Sequence, residues 1–447
     1  MEQSKLEEWN HWWIKEAVDP ELALPFKRDN YQNIEDSLSK RFILALVGLR
    51  RVGKTTTIYQ LIQKLISDKI KPQNLLFFSF DEVSANLGEA IELYKEIHKK
   101  DFREDKVYIF LDEIQKCPNW ENELKKYYDL YPKLKFIISG SESLFIRKRT
   151  KETLAGRIFE FVLDTFSFKE YLRFKGLKEE DLKYETKIKP FFSTFAEKGG
   201  FPETFSFESN RDIKEYIRNL VVDKIVFKDI PRLSKLEDPE FLRVLLELIA
   251  TNPGMYIDYQ SLSKQFDKDR RVIKNYIFYL KESFLIILLG NYRKGSAASL
   301  RKKKRAYPVD NAITYLYKTK IDEDFFGRMA ETLVVNKIKA NSFWKNGNEI
   351  DIIHNDIPIE VKYRNKIDSE DIEPLKEFMV KFNKKEGILI TKNDEKVIRI
   401  NEGTINLVPL WKFLLENQPI HENSYPEKVA YGQSSQSFKI KHPKKKN

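Results

Sequence analysis

The sequence predicts a multidomain α/β protein, and three observations support that prediction. The chain has 447 residues, which is too long for one compact core and suggests two to four domains. Through residue 165, continuous apolar runs alternate with helical patterns, as in a parallel sheet covered on both faces. After residue 310 helices and strands alternate again, and the region between is mainly helical.

The composition excludes several classes of protein. Hydrophobic residues make up 41% of the chain and aromatic residues 13%, which is enough to fill cores and too much for wholesale disorder. A single cysteine, Cys117, excludes a disulfide framework and a cysteine-built zinc site, and the five histidines lack metal-ligand spacing. No apolar run approaches the roughly 18–20 residues of a membrane span, and the acidic amino terminus is unlike a signal peptide. We therefore expect a soluble, cytoplasmic protein with no membrane partner.

The first predicted domain covers residues 1–165 and opens with a helical segment over residues 1–40. Four apolar runs of strand length follow: Arg41–Val47, Leu75–Phe80, Val107–Leu111 and Leu134–Ile138. Strands that alternate with helices indicate a parallel sheet.

The first of these runs leads into a glycine-rich loop with the spacing of a phosphate-binding P-loop, Gly48-x-x-x-x-Gly53-Lys54-Thr55. Glycines let such a loop turn its backbone N–H groups towards a phosphate, and the following helix adds its positive end. We expect Lys54 to reach the β- and γ-phosphates of ATP and the Thr55 hydroxyl to bind Mg²⁺. The predicted nucleotide-binding residues are Gly48, Arg51, Val52, Gly53, Lys54, Thr55 and Thr56.

A P-loop enzyme also needs an acid for the metal and a group that activates water. The run Val107–Leu111 ends at Asp112 and Glu113, at the carboxyl end of a strand, where α/β sheets place ligands. Asp112 is the predicted Mg²⁺-associated carboxylate, and Glu113 the predicted base. The alternative is an acidic helix start, because Asp favours N-caps.

Two further positions complete this predicted catalytic set. The fourth run ends at Ser139, which would sense the γ-phosphate and position water; Ser141 is the alternative, and a turn role is open for both. Arg157 would stabilise charge in the transition state, in cis or from a neighbouring subunit of an oligomer. A plain surface arginine is the competing interpretation.

The middle of the chain divides into a predicted helical lid or connector, residues 166–237, and a small unit, residues 238–309. In that unit two short helices separated by a tight turn, and then a hairpin, indicate a winged helix-turn-helix. Basic residues over 268–274 open its last helix, where they suit phosphate and groove contacts with DNA. A purely structural role is the alternative.

The last predicted domain, residues 310–417, carries a second set of acids. In the hairpin around residue 355, Glu360 and Lys362 share one face of a strand and Asp351 lies on the facing strand. Asp351 and Glu360 would bind one Mg²⁺, Glu331 on the preceding helix would complete the metal site, and Lys362 would orient a metal-bound water. The alternative is a charged face of a half-exposed hairpin.

Together these motifs resemble those of AAA-type P-loop ATPases of archaea and bacteria whose ATPase domain precedes a nuclease-like domain of unknown function. The resemblance rests on Gly-Leu-Arg-Arg-Val-Gly-Lys-Thr-Thr (48–56), Leu-Asp-Glu-Ile-Gln (111–115), Ser-Gly-Ser (139–141), Leu-Ala-Gly-Arg (154–157), Phe-Ser-Phe-Lys-Glu-Tyr-Leu (166–172), Gly-Gly-Phe-Pro-Glu (199–203) and Lys-Asp-Ile (228–230). It implies ATP and Mg²⁺ as cofactors and a C-terminal α/β restriction-endonuclease-like fold with an Asp…Glu-x-Lys site. Asp164-Thr-Phe-Ser-Phe168 departs from the Pro-Leu-Ser-Phe run usual in this family.

The positive charge is concentrated in two segments. The chain has 79 Lys+Arg and 68 Asp+Glu, a net charge of +11. Residues 293–305 contain seven basic residues and no acid, and the tail over 418–447, which we expect to be disordered, ends in a lysine-rich segment with five lysines after residue 437. Both segments are predicted to contact DNA, with solvated linkers as the alternative.

The predicted function is therefore Mg²⁺-dependent ATP hydrolysis coupled to DNA binding, with cleavage by the C-terminal domain left open. A signalling switch whose C-terminal domain binds a partner or nucleic acid without cutting it is one alternative. A helicase or DNA-remodelling motor is another.

Overall fold

Among the residues that the structure describes, five parallel strands form the sheet of the amino-terminal region. The strands are β1 (Ile43–Val47), β2 (Leu75–Ser79), β3 (Val107–Asp112), β4 (Leu134–Gly140) and β5 (Ile158–Val162). Their order across the sheet is β2-β3-β4-β1-β5. The first four strands lie on the four apolar runs. The patterns do not predict β5, because it is a half-exposed edge strand interrupted by Glu160.

The structure is a computed structural model that describes residues 3–81, 86–140, 153–234, 236–292, 304–318 and 320–416. Residues through Leu415 form one compact unit. The predicted tail over 418–447, the residues from 293 to 303 and Ser141 lie outside the described residues. The helices before and around the first sheet are α1 (Gln3–Trp9), α2 (Trp12–Lys15), α3 (Tyr31–Asp36), α4 (Lys54–Ser67), α5 (Leu87–His98) and α6 (Trp120–Leu130).

The predicted connector, residues 166–237, is divided between two cores. Its helices are α7 (Phe168–Phe174), α8 (Glu185–Lys198), α9 (Asn210–Tyr216) and α10 (Ile230–Leu233), with π-helical turns over Ile217–Val222 and Ile225–Asp229. Side chains of α7 and α8 pack with residues near the C-terminal end of the described chain, such as Leu410 and Phe413. Later side chains, such as Ile217, pack into the core of the first sheet. The connector therefore contributes side chains both to the core of the first sheet and to the core of the C-terminal domain.

The described part of the unit over residues 238–309 contains three helices and three short strands. Its elements are α11 (Pro239–Thr251), β6 (Met255–Ile257), α12 (Tyr259–Phe266), α13 (Arg270–Glu282), β7 (Ile286–Asn291) and β8 (Lys304–Pro308). Strand β8 pairs antiparallel with both β6 and β7. A tight turn separates α12 from α13, because Asp267 adopts a left-handed conformation and Asp269 caps α13.

The remaining strands are β9 (Ser342–Asn346), β10 (Asn348–His354), β11 (Ile357–Lys362), β12 (Glu386–Thr391), β13 (Lys396–Ile400) and β14 (Gly403–Pro409). The sheet of the 238–309 unit continues into the C-terminal domain, because β7 pairs in parallel with β9. Among the described residues, the strands of this second sheet lie in the order β13-β14-β12-β11-β10-β9-β7-β8-β6. The helices are α14 (Asn311–Tyr317), α15 (Glu323–Lys337), α16 (Glu373–Phe382) and α17 (Leu410–Leu415). In the described ranges, no helix has both the length and the apolar character that crossing a membrane requires.

Candidate functional site

The strand order of the first sheet brings the predicted ATP-site residues to one edge. Strand β4 lies between β1 and β3, and all three run in the same direction. The P-loop follows β1, Asp112 ends β3 and Ser139 lies near the end of β4. Because the carboxyl ends of parallel strands meet at one edge, these groups converge there although they are far apart in sequence.

Two glycines give the P-loop its shape. Gly48 has a φ of +147°, and a Cβ placed on it would lie 2.0 Å from the carbonyl oxygen of Leu163, which follows β5. Gly53, with a φ of +95°, turns the chain into α4. The first glycine is therefore required by close backbone approach, and the second by its left-handed conformation.

Lys54 lies buried inside the loop. Its ammonium Nζ donates hydrogen bonds to the carbonyl oxygens of Gly48 at 3.0 Å and Leu49 at 2.7 Å. Burial lowers the pKa of Lys54, and the nearby carboxylates of Glu113 and Asp112 oppose that shift. Of the other predicted loop residues, Val52 is buried, Thr56 is half-buried, and Arg51 is exposed and lies 3.5 Å from Glu203.

Asp112 joins the P-loop to β4. Its Oδ2 accepts a hydrogen bond from the Thr55 hydroxyl at 2.9 Å, and its Oδ1 accepts a short hydrogen bond from the Ser139 hydroxyl. The structure therefore brings together three residues predicted from separate motifs. Carboxylate and hydroxyl oxygens are the ligands that Mg²⁺ prefers, so this donor set fits the metal.

Glu113 adopts a backbone conformation that a helix start does not require. Its φ is +51°, in the left-handed region, and its side chain makes no capping bond to the short 3₁₀ turn over Ile114–Lys116. Left-handed conformations of non-glycine residues cluster at functional sites. Gln115 donates a hydrogen bond to the Glu113 carboxylate. Burial raises the pKa of Glu113, while Lys54 opposes the shift; a raised pKa suits a base that must accept a proton.

Arg157 lies at the opposite edge of the sheet from the P-loop. Its carbonyl oxygen accepts a hydrogen bond from the N–H of Ile43, at the start of β1, at 2.8 Å. The P-loop begins after the far end of β1, about 13 Å away at roughly 3.3 Å per residue. The Arg157 guanidinium instead pairs with Asp129 at 2.9 Å. Arg157 therefore does not reach the P-loop of its own chain in this arrangement, and both action from a neighbouring subunit and a plain surface role stay open.

Several residues that hold the ATP site together are not among those predicted. Arg28 donates hydrogen bonds to the P-loop carbonyl of Val52 at 2.7 Å and to the buried carboxylate of Glu170 at 2.8 Å. Arg50, in the P-loop, forms a bidentate pair with Asp229. Asp229 belongs to the motif at 228–230, so the sequence could have indicated that Asp229 has a role near the ATP site. Arg28 stands in no motif, so nothing in the sequence marks it.

The structure also brings together the predicted residues of the C-terminal site. Glu360 Oε2 accepts a hydrogen bond from the backbone N–H of Asp351 at 3.2 Å, and Asp351 Oδ2 accepts one from the N–H of Val361 at 3.0 Å. Lys362 donates to Glu360 Oε1. Burial, with the charge of Asp351, raises the pKa of Glu360 to about 8 and that of Glu331 to about 7.

Arg305 also belongs to this acidic cluster. It donates hydrogen bonds to Asp351 Oδ1 at 3.0 Å and to Glu331 Oε2 at 2.8 Å, and only 7% of it is exposed. The prediction that Arg305 contacts DNA as part of segment 293–305 is therefore wrong, because β8 carries its side chain into the interior. Its neighbour Lys304 is half-buried.

The predicted metal site of the C-terminal domain does not fit a divalent cation in this arrangement. Of the six carboxylate oxygens of Glu331, Asp351 and Glu360, five accept hydrogen bonds from protein donors. Across the described ranges, no group of three or more His, Cys, Asp or Glu side chains is arranged to hold a metal ion.

The first turns of α13 form an exposed basic surface. Arg270, Arg271 and Lys274 are exposed, and Phe278, one turn further along, is 48% exposed. Burial lowers the pKa of Lys304, and the nearby positive charges of Lys281 and Lys274 lower it further. Positive charge therefore accumulates between α13 and β8.

Residues 40–172 match the family model described as an AAA domain. The matched range contains β1 to β5, the P-loop and the Thr55–Asp112–Ser139 contacts. Residues 190–324 match a second model, described as a domain of unknown function (DUF8612).

Three relatives resemble much of the chain. The uncharacterized protein MJ1544 of Methanocaldococcus jannaschii is 26% identical over 419 residues, which is 86% of this chain and 90% of that protein. The uncharacterized protein MJ1637 of the same organism is 26% identical over 342 residues, 69% of this chain and 71% of its own length. An uncharacterized protein of Haemophilus influenzae is 24% identical over 297 residues, 64% of this chain and 72% of its own length.

Two solved structures align with about 70% of the chain, but with low similarity. A chain from the structure of Drosophila ORC bound to AT-rich DNA and Cdc6 has 12% identity and a TM-score of 0.21 and is covered over 94% of its length, against 70% of this chain. Cdc6p from Pyrobaculum aerophilum has 11% identity and a TM-score of 0.28 and is covered over 98%, against 71% of this chain. Similarity at this level carries no conclusion about function.

Proposed function

We propose that this protein is a Mg²⁺-dependent ATPase whose hydrolysis is coupled to DNA binding. The observation that carries the proposal is the contact of Asp112 with both Thr55 and Ser139 beside the P-loop. A P-loop alone binds phosphate. A P-loop whose Thr55 hydroxyl lies against the Asp112 carboxylate of a neighbouring strand also has ligands for the Mg²⁺ ion that ATP hydrolysis requires.

Each residue of the ATP site has a separate role in this proposal. Lys54 exchanges its two carbonyl partners for phosphate oxygens when ATP enters the loop. Thr55 and Asp112 hold Mg²⁺, which would neutralise charge on the phosphates. Ser139 keeps the Asp112 carboxylate oriented, and Glu113 accepts a proton from the attacking water. Arg157 would contribute charge only from a neighbouring subunit.

The DNA-binding part of the proposal rests on α13. Arg271, Lys274, Asn275 and Phe278 follow the spacing of one helix face, and all four are exposed. An exposed basic helix that follows a tight turn suits the major groove, with its basic residues on phosphates or base edges. The antiparallel pairing of β7 with β8, which follow this helix in the sequence, supports the interpretation of these strands as a wing.

The ATPase part is tested by hydrolysis assays on three chains. Wild type should hydrolyse ATP only with Mg²⁺, and Lys54→Ala should lose both binding and turnover. Glu113→Gln should bind ATP normally but turn over at least about a hundredfold more slowly, within the usual range for a general base. Turnover by Lys54→Ala at the wild-type rate would exclude this site.

The DNA part is tested by binding and by stimulation of turnover. The double variant Arg271→Ala/Lys274→Ala should bind duplex DNA more weakly and lower the salt dependence by roughly one ion per lost phosphate contact. Arg211→Ala is the matched control, since Arg211 is an exposed arginine paired with Glu215 on α9. Equal DNA binding by the double variant and wild type would exclude α13 as the DNA-binding surface.

A nucleotide-dependent signalling switch is the second candidate. The observation that favours it is Arg305, whose guanidinium pairs with Asp351 and Glu331 and so occupies carboxylate oxygens that a metal-dependent nuclease would use. Slow turnover that DNA does not change would favour the switch, whereas turnover that rises with DNA favours the coupled ATPase.

A further inference from the structure

The acidic cluster of the C-terminal domain consists of Glu331, Asp351 and Glu360, where a nuclease-like fold would hold its metal. We propose that the Arg305 guanidinium is the resident cation of this cluster, so that the domain binds no divalent metal there and does not cleave nucleic acid. This inference is independent of ATP hydrolysis, because it concerns a separate site and uses none of the P-loop residues.

The guanidinium of Arg305 is held on every nitrogen. Its Nε donates to the carbonyl oxygen of Gly254 at 2.9 Å, Nη1 to Asp351 at 3.0 Å and Nη2 to Glu331 at 2.8 Å. Nη1 also lies 3.4 Å from the carboxylate of Glu349. A planar fork bound in this way has a fixed position, unlike a surface arginine that samples many rotamers.

The backbone around Arg305 is shaped to accept it. Arg305 lies on β8, whose backbone pairs with β6 on one side and β7 on the other, and its side chain is buried. Gly254, with a φ of +81°, would place a Cβ only 2.6 Å from Nη2 of Arg305. The glycine therefore keeps open the space that the guanidinium fills.

The carboxylate oxygens that a metal would need are already used. Tyr307 adds a second donor to Glu331 Oε2 at 2.9 Å, and Lys362 occupies Glu360 Oε1. Mg²⁺ requires near-octahedral oxygen ligands at about 2.1 Å. A metal could bind only after several of these bonds broke, and it would then lie beside two positive side chains.

The test measures the binding of Mn²⁺ to the nucleotide-free full chain by electron paramagnetic resonance. All proteins carry Asp112→Asn, so that the P-loop contributes no metal site. The chain with Arg305 should show no saturable Mn²⁺ site below millimolar concentration. Arg305→Met should bind Mn²⁺ at least tenfold more tightly, and adding Asp351→Asn should abolish that gain. Arg364→Met is the control, because Arg364 pairs with Asp371 in the same domain; it should gain nothing.

Two results would overturn the inference. One is a tight Mn²⁺ site in the chain with Arg305 that Glu360→Gln removes. The other is plasmid cleavage by the wild-type protein that Lys362→Ala abolishes. Both can be measured without Arg305→Met, so the inference stays testable if that variant does not fold. Absence of a Mn²⁺ site and of Lys362-dependent cleavage in chains that retain Arg305 supports it.

Discussion

Replacing Arg28 with methionine should strongly destabilise the ATPase domain. Only 9% of the Arg28 side chain and 5% of that of Glu170 are exposed. Arg28 also donates to the carbonyl oxygens of Val52 at 2.7 Å and Asp164 at 2.8 Å. Methionine keeps much of the length of the side chain and removes every one of these donors, so the variant isolates the polar contacts from the packing.

The size of the effect follows from burial. Removing one partner of a buried ion pair destabilises a protein by about 3–5 kcal/mol, because the other charge is left buried and unpaired. For a cooperative unit of about 150–250 residues, each kcal/mol lowers the melting temperature by roughly 2–4 °C. The Arg28→Met variant should therefore melt roughly 6–20 °C below wild type.

Arg173→Met is the matched control for this measurement. Arg173 pairs with Asp29 at 2.8 Å in the same region, but the two side chains are 30% and 46% exposed. Exposed pairs contribute about 0–1 kcal/mol, so its melting temperature should fall by less than about 4 °C. Differential scanning calorimetry of the three proteins measures both changes. An Arg28→Met protein that melts within 2 °C of wild type, or a control that loses as much, would refute the reasoning.

Three further outcomes are expected. Gly48→Ala should weaken binding of a fluorescent ATP analogue at least tenfold, because its Cβ would lie 2.0 Å from the Leu163 carbonyl oxygen; unchanged affinity would contradict this account of the loop. Ser139→Ala should lower kcat by roughly tenfold or more with little change in KM, since a hydrogen bond to a charged group such as Asp112 contributes about 1.5–3 kcal/mol; equal kcat would argue against it. Burial raises the pKa of Glu170, but ion pairing and N–H donors outweigh burial and hold it below its usual value. The folded state then binds fewer protons than the unfolded state, so stability should fall as pH drops below about 4.5. The slope of melting temperature against pH should be shallower for Glu170→Gln, and equal slopes would contradict the assignment.

The parts of the fold that the sequence predicts well depend on local patterns. Strands β1 to β4 are continuous apolar runs buried on both faces, and the P-loop has fixed spacing. Asp112 could be assigned because it follows such a run. The structure adds that Ser139, on β4, donates a hydrogen bond to Asp112 on the neighbouring strand β3. The sequence showed only that each of these residues lies at the end of a strand.

The parts that escaped prediction depend on pairing between distant segments. Arg157 belongs to a motif, but whether it reaches the P-loop is decided by the direction of β5, which pairs in parallel with β1 from its own first residue. Arg305 stands in a run of basic residues, so composition favours exposure. Its burial follows from contacts with Gly254, Asp351 and Glu331, which are distant in the sequence and which no local pattern connects with Arg305.

A buried contact at Asp310 connects the P-loop region with the C-terminal domain. Asp310 accepts hydrogen bonds from the Thr165 hydroxyl at 2.6 Å and from the N–H of Gly200 at 3.1 Å, and it caps α14. Thr165 is itself bonded through its carbonyl to Arg28 at 3.3 Å, and Arg28 contacts the P-loop. The Val52 carbonyl of the P-loop is therefore connected to Asp310 through Arg28 and Thr165. Because Asp310 caps α14, these hydrogen bonds link the P-loop to the first helix of the C-terminal domain. If Arg305 leaves the C-terminal domain without a metal site, as proposed above, a movement transmitted along these hydrogen bonds would change the binding of a partner by that domain. It would not activate a nuclease.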